Sequence, residues 1–180
     1  MKSRFYQQKI MQYGYYFFLT SFVGFIWEIV LTLVEHNSIS KRGFFYGPWL
    51  PIYGIGGVLL YMILHRLKEH HFLCFILSAA IGTTLELTIG IFVNKVFHLR
   101  YWDYSDYPFN YAGYICLLSS FGFGLAGVLW VSYFSGYALN MWNRLSIKKQ
   151  KVLLILLLLL FSIDCLIAVP APNTGRGITY

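Results

Sequence analysis

Five apolar runs, separated by short basic or aromatic segments, leave this chain few folds to choose from. They cover residues 13–34, 50–64, 72–93, 111–134 and 152–169. A helix needs roughly 20 apolar residues to cross a hydrocarbon core, and four of the five runs are near that length. The run 50–64 would reach only about 22 Å as a helix, against a core of roughly 30 Å. Pro170 and Pro172 stop the last run, since proline cannot continue a helix. The first run is too long for a signal-peptide core, and no small-x-small cleavage site follows it. Composition agrees: 58% of the residues are hydrophobic and 12% charged, where soluble domains carry about 25% charged residues. The expected fold is an all-α integral membrane protein of about five transmembrane helices, forming a single domain over residues 1–180.

Positive charge sets the expected orientation. Lys2, Arg4 and Lys9 precede the first run, Arg66 and Lys68 follow the second, and Arg144, Lys148, Lys149 and Lys151 precede the fifth. These alternate segments hold 9 of the 14 cations. Cytoplasmic loops retain Lys and Arg during insertion, so the N-terminus reads as cytoplasmic and the C-terminus as outside. The same rule explains the net charge of +7 without nucleic acid, for which no basic face interleaves with polar residues.

Two halves align at an offset of 58 residues. Gly24 matches Gly82, Glu28 matches Glu86, Arg42 matches Arg100 and Tyr46 matches Tyr104; one residue further, Gly54 matches Gly113. The expectation is a parallel repeat (helix, outer loop, returning helix) over about 13–64 and again over 72–134, with an extra helix at 152–169. Both glutamates then lie about 10 Å below the outer rim, with Asp164 near the same level. An ionised carboxylate in hydrocarbon costs several kcal/mol unless paired or hydrated. Gly24 stands four residues before Glu28 and Gly82 four before Glu86, which puts each acid on a close-packed seam rather than on lipid. Two readings stay open: pairs that lock helix ends to Arg42 and Arg100, or a shared polar cavity.

The segment "FFYGPW" at 44–49 supplies the length that the short second run lacks. Gly47 and Pro48 break helix there. Irregular backbone at membrane depth survives only when buried in protein or lining a wet cavity, so this segment is expected to dip inward and meet Glu28. Its counterpart, residues 98–117, offers Arg100, Asp103, Asn110 and Trp102. The free N–H groups of the second and fourth helices would point at the same cavity. Candidate substrate-binding residues are therefore Glu28, Glu86, Arg42, Arg100, Asp103, Asn110, Tyr53 and Trp102. Cys74, Cys116 and Cys165 read as packing residues; a Cys116–Cys165 disulfide is open on an oxidising outer side, but the spacing does not demand it. No P-loop and no His-Glu-x-x-His occur. His65, His70 and His71, beside Arg66, Lys68 and Glu69, read as a headgroup-facing surface. No cofactor or metal is expected.

Two stretches carry a resemblance. Arg42, Gly43, Phe44, Gly47, Pro48, Pro51, Ile52, Tyr53 and Gly54 match one signature, and Trp102, Asp103, Tyr104, Ser105, Asn110, Gly113, Ile115, Cys116 and Leu117 the other. Over about residues 13–130 the chain resembles a family of small bacterial membrane proteins labelled "putative ABC-transporter type IV" or "putative ABC transporter permease". Lys41 and Tyr114 stand where that family usually has Asn and Arg. The resemblance implies a transporter or permease subunit in the bacterial cytoplasmic membrane. Having no ATPase motif, such a subunit would need a separate ATPase, or protons carried by Glu28 or Glu86; further copies of the chain are the other partner to expect. The alternatives are an intramembrane enzyme on a lipid-linked or periplasmic substrate, with Glu28 or Glu86 as general base and Arg100 as oxyanion clamp, and an accessory subunit without a ligand.

Overall fold

The computed structural model describes residues 2–36, 43–174 and 178–179. In chain order they form α1 (Lys2–His36), α2 (Pro51–Leu64), a 3-10 turn (His65–Leu67), α3 (His71–Phe97), β1 (Leu99–Arg100), α4 (Leu117–Val128), a π-helical turn (Leu129–Phe134), α5 (Ser135–Asn143), α6 (Ile147–Ala168) and β2 (Ile178–Thr179). The π turn joins α4 and α5 into one rod. Four helices are long and apolar enough to cross a membrane: Tyr6–Val34, His71–Phe97, Leu117–Asn143 and Ile147–Ala168. The second expected span is the short apolar helix Pro51–Leu67. β1 and β2 add one small antiparallel pair, with Leu99 opposite Thr179.

The fourth helix differs from its expected limits. Residues 111–116 are not helical, and the rod runs on to Asn143 instead. Phe109, Ala112 and Gly113 have φ of 55°, 49° and 66°, a left-handed conformation that no helix can absorb. Tyr111 N–H donates to Ile115 O at 2.9 Å, closing a tight bend there. Cys116 then starts α4: its sulfur accepts from Ser119 N–H at 3.3 Å, while its own N–H donates to Ser119 Oγ at 3.2 Å. This reciprocal cap satisfies two donors that a helix start leaves free. At the other loop, Leu50 is extended and Pro51 opens α2, where a missing N–H costs nothing.

α1 packs on α2 and α3 on α4 more extensively than any other pair. Glycine makes the approach close. A Cβ on Gly24 would overlap the Tyr53 ring, and one on Gly82 would overlap Phe123. The 58-residue offset relates the two glycines, but their ring partners are 70 residues apart. Gly54 faces Ser21 and Phe17 from inside α2, while Gly113 sits in the loop against Arg100, Asp103 and Ser105. Gly54 and Gly113 therefore hold different places.

Lys9, the 3-10 turn and the α5–α6 turn share one end of the bundle, the basic end. There Met11, Phe18, Trp142 and Leu154 form a core that ties α6 to α1. Leu64, Cys74 and Val131 join α2, α3 and the π turn. Segments 43–50 and 98–116 share the opposite, loop end. Most of α6 presents bare leucine and isoleucine, such as Leu158 and Leu166, as a lipid-facing wall would. Cys74, Cys116 and Cys165 are free thiols.

Candidate functional site

Segment 43–50 descends far along α1. Leu50 N–H donates to the Ser21 carbonyl at 3.1 Å, and Ser21 lies near the middle of Tyr6–Val34, about 20 Å from Val34. The backbone groups of such a segment need protein partners. Asp164 supplies them: it accepts from Tyr46 N–H at 2.9 Å, Gly47 N–H at 2.7 Å and Trp49 Nε1–H at 2.6 Å. The expectation that "FFYGPW" meets Glu28 needs correcting here. The segment's donors converge on Asp164, and Tyr53, in the first turn of α2, reaches Glu28. Tyr53 stands where it does because Gly24 leaves room for its ring.

The Tyr53 hydroxyl donates to Glu28 Oε1 at 2.6 Å. Glu86, 5% exposed, accepts from the Tyr104 hydroxyl at 2.9 Å and the Ser119 hydroxyl at 3.0 Å, one on each oxygen. Glu28 and Glu86 lie within range of each other's charge, and Glu28 acts on Tyr104 as well. So α1, the start of α2, α3, the second loop and the start of α4 each send one polar group into one region. Burial first, and then the Glu86 carboxylate, hold the Tyr104 phenol well above its usual pKa, so it remains a hydrogen-bond donor at any physiological pH.

Arg100, Asp103, Asn110 and Trp102 bond within their own loop. Arg100 Nε donates to Trp102 O at 3.1 Å and Nη2 to Ala112 O at 2.7 Å; Nη2 also meets Asp103 at 3.2 Å, and the guanidinium lies 4.5 Å above the Tyr114 ring. Asp103 accepts from the Ser105 N–H and hydroxyl. Asn110 Nδ2 donates to Ser105 O and Tyr107 O, and its Oδ1 accepts from Gly113 N–H. Trp102 Nε1–H donates to Tyr114 O at 2.8 Å. These four side chains brace the loop that delivers Tyr104. A cavity of about 10 Å³ between this loop and α3, lined by Gly90, Arg100, Trp102 and Tyr114 among others, has room for one water. Arg42 lies outside the described residues. The first turn of α4 is capped by Cys116, so its N–H groups are not all left for a ligand.

Sequence reasoning missed Tyr104 and Ser119 as partners of Glu86. Tyr104 carried a signal, standing in the Trp-Asp-Tyr-Ser stretch and aligned with Tyr46 at the 58-residue offset. Ser119 carried only its place three residues after a cap. Among the described residues no cluster of His, Cys, Asp and Glu has the arrangement to hold a metal ion.

No curated protein and no solved structure matches the chain. A family profile does, across residues 15–169. With its spanning-length helices, its irregular segment at helix depth and its buried acids, the chain belongs to the transporter-related membrane family described as "Putative ABC-transporter type IV".

Proposed function

We propose that the chain is a transporter or permease subunit whose polar site consists of Glu28 with Tyr53 and Glu86 with Tyr104 and Ser119. The observation that carries this reading is a carboxylate buried in a spanning helix, Glu86 at 5% exposure, bonded by the Tyr104 and Ser119 hydroxyls. A carboxylate such as Glu86, buried in a poorly hydrated interior, attracts positive charge. A proton, or the cationic group of a polar substrate, is the occupant that chemistry favours. Arg100, Asp103, Asn110 and Trp102 act as scaffold. Energy comes from a separate ATPase subunit, consistent with the family, and the bilayer is the cytoplasmic membrane of a bacterium. The gathering of Lys9, Arg66, Lys68, Arg144 and Lys148 at one end supports a cytoplasmic basic end and an external loop end.

The test is complementation of a deletion strain by Glu28→Gln and Glu86→Gln, with extraction yield and thermal stability measured beside it. Both variants are expected to extract like the wild type and fail to complement. Full complementation by both would refute the site. Failure accompanied by unfolding would make the glutamates structural clamps.

A further inference from the structure

Asp164 accepts two backbone N–H groups and one indole N–H. It is 6% exposed and sits on a helix otherwise clad in leucine. All three donors come from residues 46–49, and the same stretch is tied further along. The Tyr46 hydroxyl donates to Ala171 O at 2.9 Å. Asn173 N–H donates to Phe44 O at 3.0 Å, and its Nδ2 to Gly43 O at 3.1 Å. The Asn173 carbonyl in turn accepts from the Tyr101 hydroxyl at 2.8 Å. Residues 164–173 thus form a strap across both loops.

We infer that Asp164 is a positioning residue for Glu28: through the three donors of residues 46–49 it fixes the start of α2, and so holds Tyr53 over the Glu28 carboxylate. The chain of contacts is short. Trp49 is fixed to Asp164, Leu50 N–H is fixed to Ser21 O, and Tyr53 N–H donates to Leu50 O at 3.0 Å. Tyr53 is thereby placed from two sides, by Asp164 and by α1. Asparagine at 164 would keep the volume but not the function. Its single acceptor oxygen can serve Tyr46 N–H or the Gly47 and Trp49 pair, and its NH₂ group would face the remaining donors. The segment would loosen, and Tyr53 with it. Glu86 takes its donors from Tyr104 and Ser119, which reach it by another route, so it should not respond.

This inference rests on Glu28 being an acid of the site, but its test does not require transport. The probe is dicyclohexylcarbodiimide, an apolar reagent that modifies membrane-buried carboxyl groups, with labelling of Glu28 and Glu86 read separately by mass spectrometry on the full-length protein. Asp164→Asn and Tyr53→Phe are each expected to raise Glu28 labelling severalfold and leave Glu86 unchanged. The double variant should show no more than the larger single effect. Should Asp164→Asn fail to fold, Trp49→Phe removes one of the three donors and keeps a ring against Phe18 and Phe161. It should move Glu28 alone, by less. Labelling of Glu28 and Glu86 rising together would mean general loosening and overturn the inference. So would unchanged labelling in the Asp164 or Trp49 variant, or multiplicative effects in the double variant. Failure of the site reading would appear elsewhere, as full complementation by Glu28→Gln.

Discussion

Replacing Glu86 by Gln and by Leu separates the need for its charge from the need for its oxygens. Glu86 accepts two hydroxyl bonds, from Tyr104 at 2.9 Å and Ser119 at 3.0 Å. Glutamine has one acceptor oxygen and one NH₂ donor, and a hydroxyl can accept as well as donate. One of the two hydroxyls therefore turns round to accept from the new NH₂, and both bonds survive in neutral form. The loss is the difference between charge-assisted and neutral bonds, on the order of 1 kcal/mol per bond, offset by relief of repulsion from Glu28. Leucine leaves the Tyr104 hydroxyl without its acceptor, at about 1–3 kcal/mol, while the Ser119 hydroxyl keeps the Cys116 carbonyl at 3.0 Å. For a chain of this size, 1 kcal/mol corresponds to about 2–4 °C in Tm. Glu86→Leu should thus lose about 2 °C at the least, and Glu86→Gln less. The assay is thermal unfolding in detergent, followed by the monodisperse fraction after heating. A Gln variant as unstable as the Leu variant would show that the fold needs the charge, which would refute hydroxyl bonding as the basis of Glu86's stability.

Gly24→Leu should push the Tyr53 ring out of its notch and cost about 1–3 kcal/mol, whereas Gly122→Ala, with open space around it, should be neutral or gain up to about 1 kcal/mol from helix propensity; melting of the two proteins side by side decides. Burial pushes the Tyr101 phenol up to about 12, above its usual value of about 10. The folded state thus keeps a proton that the unfolded state loses, and this contribution is intact below about pH 10 and falls as pH rises toward 12. Tyr101→Phe should therefore lose stability less steeply than the wild type in that alkaline window, as Tm measured against pH would reveal. Cysteines placed at Ser3 and Thr179 should be labelled by an impermeant thiol reagent in intact cells only at position 179; labelling at position 3 would invert the topology.

Glu28 and Glu86 were legible because a lone carboxylate in an apolar run has to be accommodated, and a glycine one turn away says how. Their partners were less so. Tyr53 and Tyr104 lie 25 and 18 residues from the acids they bond, and helical periodicity carries no information across an irregular connection. The stretch "YAGYIC" was read as the start of a span because hydropathy weighs side chains and not φ. Ala112 has no visible mark of its left-handed backbone; Gly113 beside it was the available hint. Arg100 was read as facing a ligand because a cation near buried acids invites that pairing. Its partners include Asp103 and carbonyls two and twelve residues away, a fold-back that charge patterning cannot show. The 58-residue offset pairs Gly24 with Gly82 and Glu28 with Glu86 in the sequence. Gly54 and Gly113 fall on a helix and on a loop, because the loop before α4 is longer and braced in its own way.

The strap at residues 164–173 also sets a timetable. Asp164 lies 118 residues after Tyr46, and Asn173 lies 130 after Gly43. At roughly 5–20 residues per second, a ribosome delivers the strap about 6–26 s after the segment it fastens. During that interval the donors of Tyr46, Gly47 and Trp49 have no acceptor from α6. The first hairpin therefore waits in the bilayer or the insertion machinery with its deepest irregular segment incomplete. The contacts of segment 46–49 are completed by α6, so a ribosome that stalls before Asp164 leaves the donors of Tyr46, Gly47 and Trp49 unfastened.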